Sequence, residues 1–171
     1  MAIVHGVWHG VNTCIRYNVA QSTRTEASAP VASSYVIDRL QLRLEHQQAM
    51  LQHVRLWWPE DACGILGGPS GQVERVYLVE NVLHSRTEYF MDPTRQVETM
   101  LEIEGHGWEV CGIFHSHPAG PPQPSRTDID RAYYPDALYI ILAPGAGAGW
   151  AMRGFEIDAG QVREIPLDVC A

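Results

Sequence analysis

Two histidines one residue apart, His115 and His117, close an apolar run in the segment CGIFHSHPAGPPQPSRTDID, residues 111–130. Alternate residues of a strand share a face, so both imidazoles can reach one point in space. Two imidazoles plus a carboxylate, with a fourth position left to water, make a catalytic zinc set. Asp128 is the nearest candidate for the third ligand. Pro118 and the proline-rich loop behind it turn the chain back, so that the first turn of the next helix faces the histidines. Ser125 can cap that helix or point its hydroxyl into the site. Taken singly, each feature has a plainer structural reading. It is their combination at this spacing that points to chemistry.

Other reactive side chains carry less. Cys63 and Cys111 each precede a glycine on an apolar strand. A cysteine–histidine nucleophile is one reading, and a buried structural thiol is the commoner one. The GAGAGW segment lacks the lysine and spacing of a phosphate loop and reads as a hairpin turn. Trp57 and Trp58 read as core and partial surface, and His84 and His106, near turns, as solvated. His5 and His9 receive no role. A zinc nucleobase deaminase would need H-x-E and a downstream P-C-x-x-C, and the sequence has neither.

The elements that must position these residues follow from periodicity. DRLQLRL alternates as a strand, and from Glu45 the period becomes helical through Met50, Val54 and Trp57, ending at Pro59. CGILGG and QVERVYLVENV read as a hairpin about the GPSG turn. Asp92 caps a second helix with Pro93 at its first position and Gly105 at its end. The apolar Val97, Met100 and Leu101 are expected to face the core. EVCGIFH is a central strand buried on both faces, and a short helix starts at Ser125. DALYIILAP, GWAMRGFEI and GQVREIPL are three further strands. The fold class is mixed α/β, a largely antiparallel sheet packed between helices.

The chain has 171 residues and 46% apolar content, enough for one domain with a real core. Residues 1–34 are expected to form a flexible N-terminal extension, because QSTRTEASAPVASS is small, polar and aperiodic. The folded domain then occupies 35–171. A net charge of −8 argues against a nucleic-acid partner, which would need a basic stripe. No apolar run reaches the roughly 18 residues of a membrane helix. The four cysteines are widely spaced, so reduced thiols and a cytoplasmic location are expected.

The string HSHPAGPPQPSRTD resembles the JAMM motif of the MPN+ zinc metalloproteases. WWPEDACGILGG, YFMDP and GIFHSHPAGP look like the bacterial branch of that family, and the likeness runs over roughly residues 40–168. Within the branch it is similar to CysO-cysteine hydrolases, which act on small ubiquitin-like sulfur-carrier proteins. The resemblance implies a cytidine-deaminase-like JAB/MPN architecture and one Zn2+ held by His115, His117 and Asp128, with a catalytic water. It implies Ser125 as an oxyanion donor and cleavage of an amide or isopeptide bond after the carrier's terminal Gly-Gly.

One position departs from the pattern. The family's general base is a glutamate three residues before the glycine of the CG pair, and here that position holds Asp61, with Glu60 one step earlier. Aspartate is one C–C bond, roughly 1.5 Å, shorter. A misplacement near 1 Å can cost on the order of 100-fold in rate. Glu60 has the reach, but an adjacent strand residue points to the other face. Both remain candidates, with the alignment on ACG favouring Asp61. The altered base also raises a second reading, a binding scaffold that keeps the fold and metal but catalyses weakly.

Overall fold

The computed structural model describes Cys14–Arg16, residues 37–145, residue 147 and residues 149–171. Apart from Cys14–Arg16, the segment expected to be a flexible extension lies outside the described residues. Among the described residues, nine strands and three helices follow in the order β1 Cys14–Arg16, β2 Leu40–Arg43, α1 Leu44–Trp57, β3 Cys63–Gly68, β4 Arg75–Val79, α2 Pro93–Gly105, β5 Glu109–Ser116, α3 Arg126–Asp130, β6 Leu138–Pro144, β7 Trp150–Asp158, β8 Gln161–Ile165 and β9 Leu167–Cys170.

A six-stranded sheet in the order β4-β3-β5-β6-β7-β8 forms the body of the molecule. Its pairings are antiparallel except β5 with β6, which makes the sheet mixed and largely antiparallel as its sequence suggests. β5 is central, and every residue from Cys111 to Ser116 is buried. One core layer joins Met50 and Val54 of α1 to Leu66, Phe114 and Leu142. A second, on the other side, joins Ile103 of α2 to Ile65, Ile113 and Ile141. The sheet is therefore covered by helices on both faces, and its central strand delivers the histidines.

Three expectations need correction. GQVREIPL is not one strand: Pro166, which has no N–H to donate, divides β8 from β9. β9 then leaves the main sheet and pairs with β1 and, in parallel, with β2 in a separate three-stranded sheet. On α2, Val97 and Leu101 are 56% and 62% exposed, and Thr99 and Ile103 are buried in their place. Ile103 fixes that face because it seats against Gly67, where an added Cβ would lie 2.7 Å from its side chain. The helix does end at Gly105, as expected, and the left-handed turn beyond it belongs to Gly107 at φ +70°. Finally, Cys63 and Cys111 are free and buried but Cys170 is disulfide-bonded, so four reduced thiols is wrong at that residue. No helix among the described residues is long and apolar enough to cross a membrane.

Candidate functional site

The end of β5 is locked from both sides. Ser116 N–H donates to the Ala62 carbonyl at 2.9 Å, and His117 N–H donates to the Leu142 carbonyl at 2.8 Å. His115 lies opposite Cys63 of β3 and Ile141 of β6 in the ladder. Close packing beneath it needs Gly64, where a Cβ would fall 2.3 Å from both the Phe114 ring and the Tyr77 carbonyl. The histidines are thus fixed by the centre of the sheet rather than by a loop.

Asp128 reaches them from the first turn of α3. Ser125 Oγ accepts from Asp128 N–H at 3.2 Å, and Ser125 N–H donates to Asp128 Oδ2 at 2.6 Å, a reciprocal cap that fixes the carboxylate. His115 Nε2 lies 2.9 Å from His117 Nε2 and 3.3 Å from Asp128 Oδ1, and His117 Nε2 lies 3.2 Å from Asp128 Oδ2. His115, His117 and Asp128 form the cluster suited to a cation among the described residues.

These distances fit zinc. Tetrahedral ligands at about 2.0–2.1 Å from the ion stand about 3.3 Å from one another. Three lone-pair donors this close call for a shared cation or proton. His117 Nδ1 lies 2.9 Å from the Pro121 carbonyl, which fixes that nitrogen as the N–H and leaves the Nε2 lone pair for a metal. His115 is 1% exposed and its Nδ1 has no hydrogen-bond partner. Its ring is held by stacking on Tyr89, centroids 4.6 Å apart.

Electrostatics follow the same geometry. Burial alone would raise the Asp128 pKa, but hydrogen bonds to His115, His117 and Ser125 hold it well below the usual carboxylate range. Burial opposes protonation of His117, yet Asp128 and the Pro121 carbonyl outweigh it and raise its pKa. Burial pushes the Cys63 thiol far up and the Cys111 thiol up to about 11, so neither is a thiolate nucleophile at neutral pH.

Of the two candidate bases, only one lies beside the histidine pair. Asp61 is 2% exposed, and its Oδ1 accepts from Ser116 N–H at 2.9 Å and Ser116 Oγ–H at 3.1 Å. Burial raises its pKa to about 6, against the opposing pull of His115 and Ser116. Glu60 turns outward, its Oε2 3.1 Å from His84 Nδ1 on the surface. Ser125 is exposed beside the ligands, and its Oγ serves the cap as acceptor, leaving its own proton free to donate.

Three contributors escaped sequence reasoning. Ser116 reads as filler between two histidines, although a hydroxyl in an otherwise apolar central strand is itself a signal. Tyr89 gives no signal, because its stacking partner is made by the fold. Asn81, buried, donates to the Asp61 and Glu88 carbonyls and accepts from Leu83 and Phe90 N–H, tying the segment after β4 to Asp61.

The model of the prokaryotic homologues of the JAB domain matches residues 43–154. A Mycobacterium tuberculosis protein named CysO-cysteine peptidase is 34% identical over 132 residues, covering 76% of this chain and 90% of its own. A Haloferax volcanii desampylase is 33% identical over 138 residues, 77% of this chain and 96% of its own. The solution structure of a Desulfitobacterium hafniense protein superposes with a TM-score of 0.69 at 34% identity, covering 76% of this chain and 92% of that one.

Proposed function

The chain belongs to the prokaryotic JAB-domain family, and from that premise we propose that it is a zinc-dependent hydrolase. Its substrate is an amide or isopeptide bond after the C-terminal Gly-Gly of a ubiquitin-like sulfur-carrier protein. The observation that carries this reading is the convergence of His115 Nε2, His117 Nε2 and Asp128 at 2.9–3.3 Å on a buried strand end. The names of the relatives from Mycobacterium and Haloferax support the substrate class.

His115, His117 and Asp128 would hold the metal. Zinc, when bound, supplies Lewis acidity that polarises an amide carbonyl and brings the pKa of water towards about 7. Asp61 takes the proton of the attacking water and hands it to the leaving amine. Its pKa of about 6, set by burial, suits a base that must also act as an acid near neutrality. Ser116 orients that carboxylate through two hydrogen bonds to Oδ1. Ser125 donates its hydroxyl proton to the oxygen that gains charge as the carbonyl carbon becomes tetrahedral. Glu60, paired with His84, takes no part.

The scaffold reading rests on the shortened base. The burial of Asp61 against the residue between the two histidines favours an active enzyme, since a residual turn would leave that carboxylate in water. Incubation of the zinc-loaded protein with a carrier extended beyond Gly-Gly tests the proposal. Cleavage after the second glycine, lost on chelation and in His117→Ala, is expected. An intact substrate would leave the scaffold as the better account.

A further inference from the structure

A cavity of about 560 Å³ opens beside the ligand cluster, with Asp128 and Tyr89 in its wall. Ile113 and Tyr139 line it from the sheet, and Phe90 from the segment after β4 and Tyr134 from the segment after α3 add aromatic surface. The walls are braced. Gln96 of α2 donates to Tyr134 Oη at 3.1 Å, and Tyr134 N–H donates to Tyr139 Oη at 3.0 Å. Arg131 and Glu88, both half-exposed, close an ion pair of 3.3 Å from α3 to the segment after β4. A volume of this size lies within the roughly 300–1,000 Å³ of pockets that take small organic groups.

Two glycines need no side-chain pocket, so the cavity serves another part of the substrate. An extended chain advances about 3.3–3.6 Å per residue. The first side chain before a Gly-Gly therefore stands about 7 Å or more from the scissile carbon. The cavity, by contrast, starts at a metal ligand and at the ring stacked on another. The residue on the leaving-amine side, bonded directly to the scissile carbon, carries its side chain nearer to that end of the cavity than any residue before the two glycines does.

Resting on the hydrolase reading above, we propose that this cavity is the pocket for the leaving residue, and that it selects Gly-Gly conjugates extended by a large aromatic or apolar residue over those ending in cysteine. A CH2–SH group would leave most of the volume unfilled, whereas an aromatic ring meets Ile113, Tyr89, Phe90 and Tyr134. In the reaction the C–N bond after the second glycine breaks, water gives hydroxyl to the carbonyl carbon and a proton to the leaving nitrogen, and no other reactant is needed.

The test uses the zinc-loaded protein and acetylated Leu-Gly-Gly-X-amide peptides with X as Phe, Cys or Ala. The expected kcat/KM for Phe exceeds those for Cys and Ala by at least tenfold. Gln96→Trp, which fills the cavity from α2, and Phe90→Ala, which removes an exposed wall, should each lower the Phe value towards those for Cys and Ala and so erase that preference. Equal rates for all three peptides, or variants that lower all three together, would overturn the proposal. If no peptide is cut, the hydrolase reading is what fails, and the pocket is still decided by binding. Phenylalaninamide titrated into the same protein should shift the NMR methyl signals of Ile113 in wild type and not in Gln96→Trp, and an unmoved Ile113 would refute the pocket.

Discussion

Asp61 and Ser116 meet across the β3–β5 junction: one carboxylate oxygen, Oδ1, accepts from both the backbone N–H and the hydroxyl of the residue between the two histidines. The Ser116 hydroxyl in turn accepts from Ala62 N–H at 2.9 Å, so the contact closes a small ring with Asp61's own neighbour. The Asp61 carboxylate is thereby fixed beside the histidine pair rather than left to swing.

The base assignment follows from that contact. Asp61→Asn keeps the shape and removes the proton acceptor, and kcat should fall on the order of 100-fold or more, within the range general bases contribute. Glu60→Gln should leave kcat within about threefold. Steady-state kinetics on one Gly-Gly substrate decides the matter, and the reverse ranking would transfer the role to Glu60.

Metal binding should be visible as stability. A ligand that binds only the folded state adds about 2.7 kcal/mol at 100 times its Kd. Zinc should therefore raise the unfolding midpoint of wild type and bind at about one ion per chain. His117→Ala should lose most of that gain. Calorimetry with and without a chelator measures both, and equal zinc stabilisation of the two proteins would remove His117 from the ligand set.

In the metal-free protein Asp61 should contribute stability that is lost as pH rises. The Asp61 carboxyl, at about 6 in the fold against an ordinary 3.8, keeps a proton that the unfolded chain gives up. With the folded state binding more protons, unfolding free energy falls with pH between about 4 and 6, by up to roughly 3 kcal/mol. His117, raised in the fold, contributes in the same direction: its share is present below its unfolded pKa and lost as pH rises through the folded one. Asp61→Asn should flatten the lower part of the curve. Urea unfolding of chelated wild type and Asp61→Asn at pH 4.5 and 7.5 checks the sign: wild type should lose stability relative to the variant over this span, and a relative gain would contradict it.

The tight seat under the histidines gives a packing prediction. Gly64→Ala drives a methyl into the Phe114 ring and the Tyr77 carbonyl, and overpacking of this kind costs about 1–3 kcal/mol. Because Phe114 adjoins His115, weaker zinc binding should accompany the loss. Unchanged unfolding and zinc affinity would show that β3 and β4 separate freely at this point.

The His115–His117–Asp128 cluster was legible in the sequence because its rule is local: strand alternation aligns His115 with His117, and a capping serine three residues before Asp128 announces a helix start. The β3–β4 hairpin was legible for the same reason, since GPSG sits between two apolar runs. What depends on distant partners was not. α2 buries Ile103 rather than Leu101 because Gly67 on another element leaves room for it, and no periodicity within the helix states that. β9 joins β2 from the far end of the chain, and only Pro166 hints that β8 has ended. The choice between Glu60 and Asp61 turned on strand direction after Pro59, and the contact with Ser116 that separates them belongs to the assembled sheet.

The most direct test of the central claim is mass spectrometry of a carrier protein extended beyond Gly-Gly, incubated in oxygen-18 water with zinc-loaded wild type. The account predicts a product ending at the second glycine with one oxygen-18 in its new carboxylate, and no product with His117→Ala or with the chelated enzyme. An uncut carrier, or cleavage that persists after chelation, would contradict it.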